Sequence, residues 1–255
     1  MLDLIERLPP GARVLDLGAR SGSFHTDRPD LVIVRADLEI APARGDGAYV
    51  AADAARLPFR EAAFDLIISN HSLEHFEALE ETLHEIGRTV RPGGAFYVAV
   101  PDAGTLTDRI YRWLARGGGH VNAFRSADQV ATLVERLTGL PHRATRDLYS
   151  SLSFLNRRNF TTRPPRKIAL FAFGSERFLA VLLWILRMGS GGLSRYGWAF
   201  YFGDVPLRGN LDAWINVCVR CGAGRSEAFL RKCGVLGRGI SYHCPDCGGW
   251  NLLTH

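Results

Sequence analysis

Two Cys-x-x-Cys pairs near the end of the chain, Cys218/Cys221 and Cys244/Cys247, constrain its folding more than any other feature. Each pair can bend a backbone knuckle around one side of a zinc ion, and the 22 residues between them match the span of a zinc ribbon. Both pairs run into glycine, at Gly222 and Gly248, and Pro245 stiffens the second knuckle. Glycine suits the position because a tight knuckle needs φ > 0, with backbone amides turned toward the sulfurs. Four thiolates leave no open coordination position, so the spacing predicts a structural zinc in a ribbon over 212–255. All five cysteines lie at 218 or later, whereas a disulfide framework would spread them. The expected setting is therefore reducing and cytoplasmic, with Cys233 an ordinary thiol.

With 255 residues, 47% of them hydrophobic, the chain can bury a large core: one main domain plus an appendage. Met1 to Arg7 reads as a short amphipathic helix, not as a secretion signal. The net charge of +5 is carried mainly by arginine, since lysine occurs only at 167 and 232. It is concentrated in 141–167, where Arg143, Arg146, Arg157, Arg158, Arg163, Arg166 and Lys167 face only Asp147. Such a segment can meet phosphate, an acidic glycan or an anionic membrane surface, or be a solvated loop.

Residues 13–100 alternate short apolar runs with helical periods. Strands are expected at Arg13–Leu17, Leu31–Val34 ending at Asp37, Phe64–Ser69 and Ala95–Val100. Unbroken apolar runs indicate strands buried on both faces, hence a mainly parallel sheet. Phe76, Leu79, Leu83, Ile86 and Val90 form one helix stripe, closed by Pro92-Gly93-Gly94. A second helix follows Leu106 and stops at Gly117-Gly118-Gly119. A third begins at the capping box Ser126–Gln129 and stops at Gly139. Alternating patterns of this kind predict a doubly wound, Rossmann-like α/β sheet over 1–149. Residues 150–211 read as a helical lid insertion with a late sheet strand at Gly197–Phe202. Its apolar run, Ile168 to Met188, is interrupted by Glu176 and Arg177, and its longest charge-free part is too short to span a membrane.

The first strand ends in Asp16-Leu17-Gly18-Ala19-Arg20-Ser21-Gly22, which puts glycines where backbone passes close beneath a ligand at the strand's carboxyl end. Asp37 ends the next strand, 21 residues beyond Asp16, where an acid can accept from both hydroxyls of a ribose. Asp53 lies before Leu57-Pro58-Phe59, placed to accept from an adenine amine. Two acids so ordered suit an adenosine ligand.

These residues resemble the class I S-adenosylmethionine-dependent methyltransferases, in particular the type 11-like group of small-molecule and ubiquinone-pathway enzymes. The resemblance runs through Val14–Gly18, Asp37, Asp53-Ala54, Leu57–Phe59, Phe64–Ser69, Leu73-Glu74-His75 and Arg91–Gly94, and covers roughly 10–140. It implies that Asp16, Gly18, Ala19, Arg20 and Gly22 underlie the methionine end, and Asp37 and Leu38 the ribose. Asp53 and Ala54 would hold adenine, with Asn70 and His71 beside the sulfonium. Arg20 replaces the family's middle glycine, and Ser23–Asp30 lacks a helical stripe, so the first crossover helix is expected to be short or absent.

A methyl sulfonium is already activated, so alignment of the nucleophile carries most of the catalysis. A general base is required only when the acceptor must lose a proton, and His71 and His120 are the candidates. Each has a bland alternative: His71 as a pocket-lining group, His120 as a loop support. His75 reads as structural. The implied activity is methyl transfer to a small-molecule, glycan or lipid-linked acceptor, with peripheral membrane contact through the basic segment as one variant. The alternatives are an RNA or protein methyltransferase gripping its substrate through the ribbon, and a non-catalytic cofactor-binding regulatory module. The motif Ser69-Asn70-His71-Ser72 lacks the Asn/Asp-Pro-Pro-aromatic arrangement of base-amine methylation, and no cysteine precedes 218; oxygen methylation of RNA stays open.

Overall fold

The computed structural model describes residues 1–20, 22–39, 47–114, 119–159, 174–189, 191–204, 215–236 and 239–254. The chain divides into two compact units, each discontinuous in sequence. One comprises Met1–Ala103, Gly119–Arg146 and Gly197–Gly209; the other comprises Gly104–Gly118, Asp147–Tyr196 and Asn210–His255.

The first unit is built on a sheet of seven strands. In chain order these are β1 (Arg13–Leu17), β2 (Val32–Asp37), β3 (Ala48–Ala51), β4 (Phe64–Asn70), β5 (Val90–Pro101), β6 (His142–Tyr149) and β7 (Arg195–Gly203), and they lie side by side as β3-β2-β1-β4-β5-β7-β6. Strands β1 to β5 pair in parallel, and β7 runs antiparallel to β5. The late strand expected at 197–202 is thus β7. The reversal between β1 and β4 opens the crevice in which α/β sheets bind ligands, at the carboxyl ends of the strands.

The central strands are legible because they are sealed on both faces. Val14, Leu15, Leu66, Ile67, Ile68, Phe96, Val98 and Val100 are all fully buried. Short α1 (Leu2–Ile5) precedes the sheet, and α2 (Leu79–Thr89) and α4 (Ala127–Thr138) pack against each other. Helix α4 begins as its capping box predicts, Ser126 accepting from the Gln129 amide, and ends on Gly139 with φ 70. No helix lies between β1 and β2 among the described residues, as the missing stripe in 23–30 implied.

Two expectations need correction. Helix α2 ends at Thr89, before Pro92-Gly93-Gly94; that tripeptide lies inside β5, where the register jumps from Phe64↔Val90 to Leu66↔Ala95. Gly93, with φ 72, serves that bulge and not a helix stop. Residues His142–Tyr149, treated above only as part of a basic segment, form edge strand β6.

In the second unit, α3 (Leu106–Leu114) is followed in sequence by α5 (Glu176–Gly189). Glu176, taken above as an interruption, is the first residue of α5. The expected glycine stop at 117–118 and the loop and apolar residues 160–173 lie outside the described residues. Two hairpins, β8 (Asn216–Val217) with β9 (Gly224–Arg225) and β10 (Ser241–His243) with β11 (Trp250–Leu252), flank α6 (Glu227–Lys232). They share a core with α5: Leu152, Leu179, Ala180 and Leu183 pack with Val217 and Val219. No described helix is long and apolar enough to cross a membrane.

Candidate active site

The loop after β1 is folded back onto β2. The amides of Gly18 and Ala19 both donate to the Ala36 carbonyl, at 2.8 and 3.2 Å, and the Arg20 amide donates to Asp37 Oδ2 at 2.8 Å. Arg20 adopts a left-handed backbone conformation, with φ 44. A non-glycine residue held there costs on the order of 1 kcal/mol. The amide bond to Asp37 offsets that cost.

The glycines serve neighbours that the sequence did not reveal. A Cβ on Gly18 would stand 2.3 Å from Ser72 Cβ, and one on Gly22 would stand 2.8 Å from Arg35 Nη1. Ser72 in turn donates to the Leu17 carbonyl at 2.9 Å, tying the β1 loop to the segment after β4. Beneath the loop, Asp16 Oδ2 accepts from the Ser23 amide at 2.9 Å and from Arg35 Nη1 at 2.5 Å. Asp16 is fully buried, so it acts on the loop from below; its Oδ1 is buried with no partner among the described residues.

Strand register brings together the two acids expected at the adenosine side. Asp37 pairs with Ala51 across β2 and β3, and the Ala52 amide donates to the Asp37 carbonyl at 2.9 Å, which sets Asp53 beside the end of β2. Asp53 is exposed and turns its own chain by accepting from the Ala55 amide at 2.9 Å. Ala54 is buried in the main core, and Leu38 is 71% exposed between the two acids. The Asp53–Phe59 segment is fastened to α2 from behind. Glu85 accepts from the Leu57 amide at 2.8 Å, and Arg88 reaches the carbonyls of Phe59 and Leu57 at 2.8 and 3.1 Å.

At the end of β4, Asn70 is half-buried, and the His71 amide donates to the Ala99 carbonyl of β5 at 2.9 Å. His71 takes φ 56, a strained conformation that commonly marks a functional position. Its side chain, 32% exposed, lies 3.8 Å from Glu74 Oε1. Desolvation, then the neighbouring His120 and His75, holds its imidazole down to about 4. His71 is therefore neutral at physiological pH. His120 lies in the same cluster, its ring centroid 4.9 Å from that of His75, whose Nδ1 bonds the Gly119 carbonyl at 3.0 Å. The structure thus brings both candidate bases together and adds Glu74 and His75. The signal for those two was present in sequence as an acid–imidazole pair three and four residues after His71.

The cysteines form a separate site. Cys218 and Cys247 sulfurs are 3.6 Å apart, and those of Cys221 and Cys244 3.7 Å. A tetrahedron of zinc–sulfur bonds of about 2.3 Å has edges of about 3.8 Å, so the four donors fit the ion. The two knuckles repeat one geometry: Gly222 donates to the Cys218 carbonyl and Gly248 to the Cys244 carbonyl, with φ 80 and 69 at the glycines. Burial pushes the Cys221 thiol up to about 11 and the Cys244 thiol upward too. Burial also acts against Cys218, but donors from the Cys221 and Arg220 amides and Asn251 outweigh it and leave that thiol below its usual value.

A family described as a methyltransferase domain matches residues 15–98. The malonyl-[acyl-carrier protein] O-methyltransferase of Methylococcus capsulatus is 31% identical over 185 residues, covering 63% of this chain and 67% of that protein. The demethylmenaquinone methyltransferase of Beutenbergia cavernae is 37% identical over 98 residues, 35% of this chain and 41% of its own length. A crystal structure from Anabaena variabilis, described as a methyltransferase of an antibiotic biosynthesis pathway, shares the fold with a TM-score of 0.55. Its identity is 19%, covering 79% of this chain and 94% of that one. The sheet order, the loop held on Asp37, and these likenesses lead to one conclusion: the chain belongs to the S-adenosylmethionine-dependent methyltransferases.

Proposed function

We propose that the enzyme methylates an oxygen nucleophile on a small-molecule, glycan or lipid-linked acceptor. The reading is supported above all by Asp37, which pairs with Ala51 across β2 and β3, and by Asp53, two residues beyond Ala51 at the carboxyl edge of the sheet. In this assignment Asp37 accepts from the ribose hydroxyls with Leu38 beside the base, and Asp53 and Ala54 form the adenine end. Gly18, Ala19, Arg20 and Gly22 bound the methionine end, with Asp16 buried beneath them and holding the loop through the Ser23 amide. Asn70 and His71 face the reacting centre, with His120 on the acceptor side.

When bound, the cofactor supplies an activated methyl whose leaving group departs as a neutral thioether. The chain's part is to align the acceptor and exclude water, an effect that reaches several kcal/mol when reacting atoms are held in line. A neutral His71 can accept a hydrogen bond from an acceptor hydroxyl and so orient its lone pair toward the methyl. The four cysteines are assigned to one structural zinc that organises the ribbon and, through Val217 and Val219, the core shared with α5.

Calorimetry with S-adenosylmethionine and its demethylated product tests the cofactor site. Asp37→Ala is expected to weaken binding by ~2 kcal/mol, about 30-fold, through loss of a charged acceptor. No heat with either ligand on folded, zinc-loaded protein would overturn the assignment. Extracts incubated with methyl-labelled cofactor and separated into lipid, small-molecule, protein and RNA fractions then identify the acceptor; label confined to RNA would replace the small-molecule reading.

A further inference from the structure

Glu74, His75 and His120 each offer one ligand atom, and these atoms all lie within 4.8 Å of one another. Metal–ligand bonds of about 2.1 Å hold neighbouring donors about 3–4 Å apart, so small side-chain rotations close this set on a single ion.

The surroundings prepare each donor. His75 Nδ1 lies 3.0 Å from the Gly119 carbonyl, which places the proton on Nδ1 and leaves the Nε2 lone pair for a ligand. That is how metal-bound histidines are commonly oriented, through a carbonyl on the other ring nitrogen. The Glu74 side chain is 2% exposed, and burying a carboxylate among imidazoles is favourable with a cation beside it. The Glu74 carbonyl accepts from the amides of Val121 and Asn122, at 2.8 and 3.0 Å. Asn122 Nδ2 donates to the Leu73 and Phe76 carbonyls at 3.0 and 2.7 Å. The loop bearing His120 is therefore clamped at Gly119, Val121 and Asn122 to the 3-10 turn Leu73–His75 that bears the other two donors.

We propose that Glu74, His75 and His120 bind one divalent transition-metal ion, with His71 at its edge, and that this ion holds the acceptor oxygen. Two imidazoles and one carboxylate suit manganese, iron, cobalt, nickel or zinc better than calcium, and three protein donors leave positions open for an acceptor. The role of the ion rests on the methyl-transfer reading; its binding does not. A hydroxyl placed at an open position releases its proton to solvent more easily. Its oxygen pair then forms the O–CH3 bond while the S–CH3 pair stays on sulfur, giving a neutral thioether and one released proton.

The test uses the whole chain loaded with one equivalent of zinc, which the four thiolates take first. Mn(II) is titrated in and the free ion followed by its paramagnetic resonance signal; Co(II) is followed by its visible spectrum. One further equivalent should bind, and Glu74→Gln and His120→Ala should each weaken binding at least about tenfold, the scale seen even for outer-shell partners. Both variants should keep the melting temperature of the zinc-loaded parent without Mn(II) and lose the rise that Mn(II) produces in the parent. No binding of either ion beyond the first equivalent, or equal binding by parent and both variants, would overturn the proposal. Cofactor heats without Mn(II) or Co(II) binding sink the metal site alone, whereas metal binding without cofactor heats sinks the methyl-transfer reading and leaves the site standing.

Discussion

Arg35 crosses from β2 to place Nη1 2.5 Å from Asp16 Oδ2, and both side chains are sealed from solvent. The guanidinium also donates to the Phe24 carbonyl at 2.9 Å and lies over the Phe24 ring, so one side chain holds β1, β2 and the segment between them. Breaking a buried pair by removing one partner strands the other charge. Arg35→Leu should therefore destabilise the protein by about 3–5 kcal/mol in urea unfolding. A loss under about 1 kcal/mol would mean that Asp16 finds another donor.

Gly18 and Ser72 are a second obligatory pair. Gly18→Ala puts a methyl 2.3 Å from Ser72 Cβ at a φ of 71, so both a clash and backbone strain oppose it. The expected cost is at least about 2 kcal/mol. Ser72→Gly in the same chain should recover the steric part, a coupling visible in a double-mutant cycle. Additive losses would place the cost in the backbone alone.

Glu85 and Arg88 make the Asp53–Phe59 segment depend on pH. Hydrogen bonds from Arg88, opposed by burial and aided by the Leu57 amide, hold the Glu85 carboxyl below its ordinary value. A depressed carboxyl contributes stability above its unfolded pKa, near 4.3, and loses it as pH falls through the lower folded value. Glu85→Gln should cost about 1 kcal/mol at pH 7, with the difference from the parent vanishing as the medium is acidified below about pH 4. A difference independent of pH would count against the pair.

Metal analysis should find one tightly held zinc per chain that Cys247→Ser removes and Cys233→Ser, at an exposed helix cap, does not. Because the ribbon shares its core with α5, chelation should also lower the helix signal at 222 nm and the melting temperature. Zinc retained when Cys247→Ser is combined with His120→Ala would refute the four-thiolate site.

Strands β1, β2, β4 and β5 could be read directly from sequence, because strands in the middle of a covered sheet are mostly apolar on both faces. The knuckles were equally plain, since cysteine and glycine at fixed spacing have few other uses. Strand β3, four residues long, and edge strand β6, His142–Tyr149, are only half-buried and carry no such pattern. Which groups meet was decided elsewhere. Asp16 and Arg35, or His75 and His120, are distant in sequence, and no local preference encodes their contact. Strand register and the clamp of Asn122 on the 3-10 turn bring them together. Composition along a segment settles whether it is buried; only the closed hydrogen-bond network of the folded chain settles which buried charges and ring nitrogens face one another.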